Sequence, residues 1–231
     1  MYDYKFAFDN DDIDFIKQNY KYNNSEISIL LEYCIIKNLP LIFDFFLNKY
    51  NDLENLNNLI NTSITQKHNN IIFLEKLLDK YSNIYDVNKP HKNSKSIFNY
   101  THLNLAIYEK KINCVILLLN YGARTDIIYP FDNRSSIHIA VLIGHQAILK
   151  ILLDHSSKSI INLINNKSES PLHIAIINSD ISMIKLLIDS GADINQKTKE
   201  GFTPLDISKK TENNMVINNY LIEKGAISAF F

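Results

Sequence analysis

Ser170-Pro171-Leu172-His173-Ile174-Ala175, the apolar run from Ile181 to Ile188, and Gly191-Ala192-Asp193-Ile194-Asn195 form one unit of this chain. The same unit is then written again as Gly201-Phe202-Thr203-Pro204-Leu205-Asp206, Ile217 to Ile222 and Gly225-Ala226. Ser170 and Thr203 stand 33 residues apart. Each is suited to accept a hydrogen bond from a free N–H of a first helical turn, and the proline that follows fits a position where the missing N–H costs nothing. Each therefore opens a helix. His173 and Asp206 fall at the third helical position, where a polar side chain reaches back to the cap. Asn178-Ser179-Asp180 breaks the first helix. Ile181, Ile184, Leu187 and Ile188 then place one apolar stripe on a second, which Gly191 ends by taking the left-handed conformation. Helices of about ten residues are marginal alone, so the stripe must be buried against neighbouring copies.

Both the T-P-L-H-x-A wording and the period resemble the ankyrin-repeat family. The resemblance implies an all-α solenoid of stacked helix-turn-helix units joined by finger loops. Outward from the defining stretch, Ser135 opens Ser-Ser-Ile-His-Ile-Ala and Thr101 opens Thr-His-Leu-Asn-Leu-Ala. Four regular repeats thus cover residues 91–226. Two divergent pairs without T-P-L-H are expected over 25–90: Ser25 to Lys37 with Pro40 to Tyr50, then Leu53 to Gln66 with Ile71 to Lys80. In the second of them the glycine is absent, and Tyr81-Ser82-Asn83 with Asp86-Val87-Asn88 is read as replacing Gly-Ala-Asp-x-Asn with an insertion. Residues 1–24 read as a half repeat or cap, and Lys89 to Ser96 as a long finger or a bend. His155 to Ile160 is a surface insertion. The tail, residues 227–231 (ISAFF), either folds back on the last helices or forms a contact surface. The whole is read as one domain of about six repeats.

A chain of 231 residues with 46% hydrophobic and 21% charged residues folds normally, and its formal net charge of −1 offers no field for nucleic acid. No signal peptide and no apolar run near 18 residues is present, so membrane insertion is not expected, and a monomer in the cytoplasm is. Cys34 and Cys114 sit within apolar helical patterns and read as reduced, buried hydrophobes.

No catalytic, cofactor or metal site is expected. His138 and His173 share one repeat position, but a metal needs three or four converging ligands. In the family this histidine bridges backbone groups of adjacent repeats, and that role carries over to these two positions. His102 stands one place early, where the family has proline. Asp206 lacks a nucleophile or second carboxylate at a useful spacing, and no nucleotide or hydrolase motif occurs.

The resemblance further implies a protein or peptide partner held by the finger loops and the inner face of each first helix. Carried over, the lining is Phe98, Tyr100, Tyr108 and Glu109 in the first regular repeat. Phe131, Asp132, Arg134, Leu142 and Ile143 follow in the next. Lys167, Glu169, Ile177 and Asn178 come third, with Lys199, Glu200 and Phe202 last. Asn99, Asn133, Ser168 and Gly201 precede the motif where the backbone is expected left-handed, Ser168 being a departure. Aromatic residues and arginine suit binding anchors. The alternative is that Phe98, Phe131 and Leu142 fill gaps within the chain itself. The leading function is a noncatalytic scaffold, and heavy use of residues with AT-rich codons suggests a viral, bacterial or parasite factor acting on host proteins. The alternatives are the targeting portion of a larger enzyme or ubiquitin-ligase adaptor, and a hydrolase built on His138 and His173.

Overall fold

In the computed structural model, residues 7–10, 12–19, 21, 24–50, 55–67, 71–92, 99–129, 131–211 and 215–230 are described. Helices α1 (Ile13–Asn19), α2 (Asn24–Lys37), α3 (Pro40–Leu47), α4 (Leu56–Thr65) and α5 (Ile72–Tyr81) form the first part of the chain. A finger follows, with strands β1 (His91–Lys92) and β2 (Asn99–Tyr100). Then come α6 (His102–Tyr108), α7 (Ile112–Asn120), α8 (Ser136–Leu142) and α9 (Gln146–Asp154). The one-turn helix α10 (Lys158–Ile161) precedes α11 (Pro171–Ile177), α12 (Ile181–Asp189), α13 (Pro204–Lys210) and α14 (Met215–Glu223). The fold is the expected all-α solenoid, since the two short strands only shape one finger.

The helices lie in two rows. The inner row runs α2, α4, α6, α8, α11, α13, each packed on the next and on its own outer helix. The outer row contains α7, α9 and α12 in succession, and α3 against α5. The core follows from this stacking. Leu149, Leu152, Ile184 and Leu187 on the outer helices and Ile137, Ile139, Leu172 and Ile174 on the inner ones are almost wholly buried, so a helix pair buries its stripe only in company.

Thr101, Ser135, Ser170 and Thr203 open four successive inner helices, all in extended backbone conformation. At the other end four inner helices, α2, α6, α8 and α11, close through a left-handed residue: Asn38 (φ 58°), Lys110 (56°), Gly144 (67°) and Ser179 (55°). The next N–H then reaches back to the helix, from Leu39 to Cys34, Lys111 to Ala106, His145 to Ala140 and Asp180 to Ala175. These bonds satisfy carbonyls that the helix end leaves unpaired. They also place Cys34 in register with the motif alanine.

The divergent pairs lack glycine after their outer helices, and in the first of them side chains cap the carbonyls there. Lys80 Nζ and the Tyr81 hydroxyl both donate to the carbonyl of Tyr50, at 2.6 and 2.7 Å, and Lys80 also reaches that of Leu47. Asp86-Val87-Asn88 behaves as the motif does. Asp86 accepts from the Asn88 N–H, and Asn88 bridges the Gly122 carbonyl and the Arg124 N–H. Asn195 makes the corresponding bonds to Gly225 and Ile227. At the N-terminus α1 packs on α3, and Phe8 lies between the Tyr33 and Phe46 rings. The insertion is not wholly superficial, for Ile160 at its end packs partly buried against the core, next to buried Ile161. Cys34 and Cys114 are buried thiols outside any disulfide, and burial pushes the Cys114 thiol up to about 11.

Candidate binding face

The first five inner helices end in the same three-residue pattern: a small buried residue, a buried β-branched residue, then an exposed one. The triplets are Cys34-Ile35-Ile36, Ser63-Ile64-Thr65, Ala106-Ile107-Tyr108, Ala140-Val141-Leu142 and Ala175-Ile176-Ile177. The small residue lets neighbouring helices approach, and the second fills the core. The third points away from both. Ile36, Tyr108, Leu142 and Ile177 are therefore 44%, 39%, 37% and 47% exposed, and they form an apolar row along the inner face with Thr65 between the first two. Ile36 has no T-P-L-H motif to mark it. Its signal in the sequence is Cys34 two positions before and Asn38 two after. In the sixth repeat the triplet becomes Ser208-Lys209-Lys210, with both lysines exposed.

The fingers stand beside this row. Tyr129 and Arg134, Asn165 and Glu169, and Thr198 and Phe202 close three of them by N–H to carbonyl bonds of 2.8, 3.0 and 2.9 Å. Asn133 and Gly201 are left-handed there, and so is Ser168 at φ 59°, held by its N–H to the Asn165 carbonyl. Asn99 departs from the expectation, because in the first finger it is paired with Lys92 in the β1/β2 hairpin. Phe98 lies outside the described residues.

Four of the proposed lining residues meet at the first and second of these fingers. The Tyr100 ring stands edge-on to Tyr108 at 5.7 Å and stacks on Tyr129 at 5.2 Å, tying two fingers together. Tyr129 is buried and was not legible as part of the face, since it precedes the finger tip. Arg134 and Asp132 form an ion pair of 3.0 Å beside this cluster. Burial raises the Tyr108 phenol above its ordinary value, and the charges of Tyr100 and Asp132 add to that while Arg134 opposes it. Phe131, at 67% exposed, and Leu142 do not fill gaps within the chain; both face solvent. Glu109 and Asn178 are exposed, and Ile143 is half-buried.

Phe202 is different. The tail folds back over the last finger, setting the Phe230 ring 5.0 Å from that of Phe202, while Lys210 Nζ sits 3.3 Å from the Phe202 ring centre. Ser228 and the Ala229 N–H donate to the Asp206 carboxylate, as do the Thr203 N–H and hydroxyl. Burial alone would raise the pKa of Asp206, but these donors outweigh it and hold the carboxyl well below the usual range. Beside Phe202, a shallow depression of about 360 Å³ is lined by Lys167, Glu169, Thr198, Glu200 and Ile207 as well. Lys199 is exposed next to it.

The motif histidines are structural. Nδ1 of His138 accepts from the Ser135 N–H at 3.2 Å and lies 2.9 Å from its hydroxyl, so Nε2 carries the proton and donates to the Glu169 carbonyl at 3.1 Å. His173 repeats the cap to Ser170, but its Nε2 lies near the Gln196 and Phe202 carbonyls without a well-formed bond to either. His102, at the first helical position, shares the Tyr85 hydroxyl with Asn57. Asn104 takes the histidine place and accepts from the Ser136 hydroxyl of the next repeat. Among the described residues no three His, Cys, Asp or Glu side chains gather as metal ligands, and no helix is long and apolar enough to cross a membrane.

A family model for ankyrin repeats in three copies matches residues 10–162 and 137–228. The chain belongs to the ankyrin-repeat family. It is 32% identical over 178 residues to the nuclear factor NF-kappa-B p105 subunit of Gallus gallus, covering 75% of this chain and 17% of that protein. It is 33% identical over 127 residues to the putative ankyrin repeat protein FPV240 of Fowlpox virus, covering 55% of this chain and 28% of the relative. Similarity to the tyrosine-protein kinase HTK16 of Hydra vulgaris is 25% over 230 residues, which is 96% of this chain and 28% of the kinase. The chain thus spans well under a third of the length of these relatives. Ankyrin repeats generally mediate protein–protein interaction without catalysis.

Proposed function

We propose that this ankyrin chain is a noncatalytic scaffold that binds a protein or peptide segment along its inner face, as a monomer in the cytoplasm. The apolar row of Ile36, Tyr108, Leu142 and Ile177 carries the reading. Four large side chains at one repeat position stay in water although the core beneath them is complete, three of them in successive repeats, and an exposed apolar strip of this kind suits a docking surface. The Tyr100, Tyr108 and Arg134 cluster supplies the residue types that dominate binding energies. Similarity to fowlpox ankyrin proteins supports a factor directed at host proteins. A second reading, the targeting portion of a larger enzyme or adaptor, is favoured by the similarity to HTK16, in which the matching region is 28% of a longer protein.

The test compares the intact chain with a Tyr108→Glu, Arg134→Glu double variant in affinity capture. Loss of a specific partner with unchanged helical circular dichroism supports the inner face. Retention of every partner sends the search to the outer helices.

A further inference from the structure

The apolar row does not run the whole length of the solenoid. At the position held by Ile36, Thr65, Tyr108, Leu142 and Ile177, the sixth repeat has Lys210, and Lys209 replaces the buried isoleucine or valine before it. Five repeats offer a neutral side chain there. The sixth offers two cations.

Neither lysine forms an ion pair among the described residues. The only carboxylate on α13 is Asp206, which is buried and committed to the tail and the Thr203 cap. On the neighbouring fingers Lys167, Glu169, Lys199 and Glu200 alternate in sign and nearly cancel. Among the described residues, the charge left without an opposite partner at this end of the face is therefore that of the α13 terminus. Lys210 is also held in place, with its ammonium resting on the Phe202 ring that Phe230 backs. A cation positioned against an aromatic face loses less freedom on meeting an anion than one free in solvent.

We propose that the segment bound along the inner face is apolar with an acidic end: aliphatic or aromatic side chains lie against Tyr108, Leu142 and Ile177, and a carboxylate sits over Lys209 and Lys210. The inference rests on the inner-face reading above and adds the chemistry and direction of the partner. From Tyr108 to Lys210 are three repeat steps of about 10 Å, a span of roughly 30 Å, within reach of an extended peptide of about ten residues. Opposite charges at the end of an apolar strip set direction and reject wrong partners more than they raise affinity.

The probe is a phage-displayed library of random dodecapeptides selected on the full chain, keeping only clones that fail to bind the Tyr108→Glu chain. The expected result is enrichment of Asp or Glu at one end of the apolar positions, and binding weakened about tenfold by Lys209→Glu, Lys210→Glu, with Lys→Gln at both positions intermediate. Clones that depend on Tyr108 but carry no acidic bias, or that bind the charge-reversed chain equally well, overturn this inference and leave the inner-face reading standing. A selection yielding no clone that depends on Tyr108 overturns both.

Discussion

The Nε2 proton of His138 is given to the carbonyl of Glu169, 31 positions along the chain and in the next finger, while the same ring caps its own helix at Ser135. One side chain thereby joins two repeats. Replacing His138 with Ala strands a buried N–H and a buried carbonyl, a loss of about 2–3 kcal/mol by the usual cost of caps and unmet hydrogen bonds. His173→Ala loses the cap without a second full bond and is expected to cost less. Urea denaturation of the two variants checks the order, and an equal or reversed order contradicts the bridging role.

The same burial makes stability depend on pH. His138 is pushed down to about 4, chiefly by burial and against the raising pull of the Glu169 carbonyl. Its unfolded value is about 6.5, so between pH 6.5 and 4 the unfolded chain binds the proton that the folded chain refuses. Stability from this group is complete above pH 6.5 and falls as pH drops through that window, by up to about 3 kcal/mol. His173 is shifted in the same direction. Asp206 acts lower, since its depressed carboxyl contributes above its unfolded value near 4 and loses that contribution on further acidification. Urea titrations at pH 7.5, 6.0 and 5.0 should show the decline, and His138→Gln should flatten it.

The tail makes a separate prediction. The Ala229 N–H donates to Asp206 at 3.0 Å, so its amide exchange is slowed only while the tail is docked. Asp206→Ala should speed exchange at Ala229 and leave the amide of Ile174, bonded to Ser170 inside the inner helix of the preceding repeat, unchanged. Equal protection in both chains would show that the carboxylate does not hold the tail.

Deleting the buried side chain of Leu187 in α12 should cost about 2–5 kcal/mol, because the outer helices shelter their stripe only against one another. A thermal melt reports it directly. A change under 1 kcal/mol would mean that this stripe is not the core.

Ser170-Pro171-Leu172-His173 and its three cognates made the regular repeats legible, because cap, proline and left-handed turn each have a local chemical cause. Asp86-Val87-Asn88 was legible for the same reason. Ile36 was missed, since no T-P-L-H motif sets its register and its signal is only Cys34 in the alanine place with Asn38 after the helix. Tyr129 was missed because its burial depends on Tyr100 in another finger. Asn99 was misplaced because a hairpin pairing with Lys92 overrode its tolerance of the left-handed region. Phe202 reads as an open anchor from its motif position, and only the folded tail shows Phe230 covering it.

The measurement that bears most directly on recognition by the inner face is a matched pair of exposed apolar substitutions: Leu142→Glu on inner helix α8 and Ile116→Glu on outer helix α7, 37% and 42% exposed in the parent chain. Quantitative affinity purification of the full chain, with thermal melts to equate folding, reads the outcome. The account predicts that Leu142→Glu loses the specific partner and Ile116→Glu keeps it. Retention by Leu142→Glu together with loss by Ile116→Glu would contradict it.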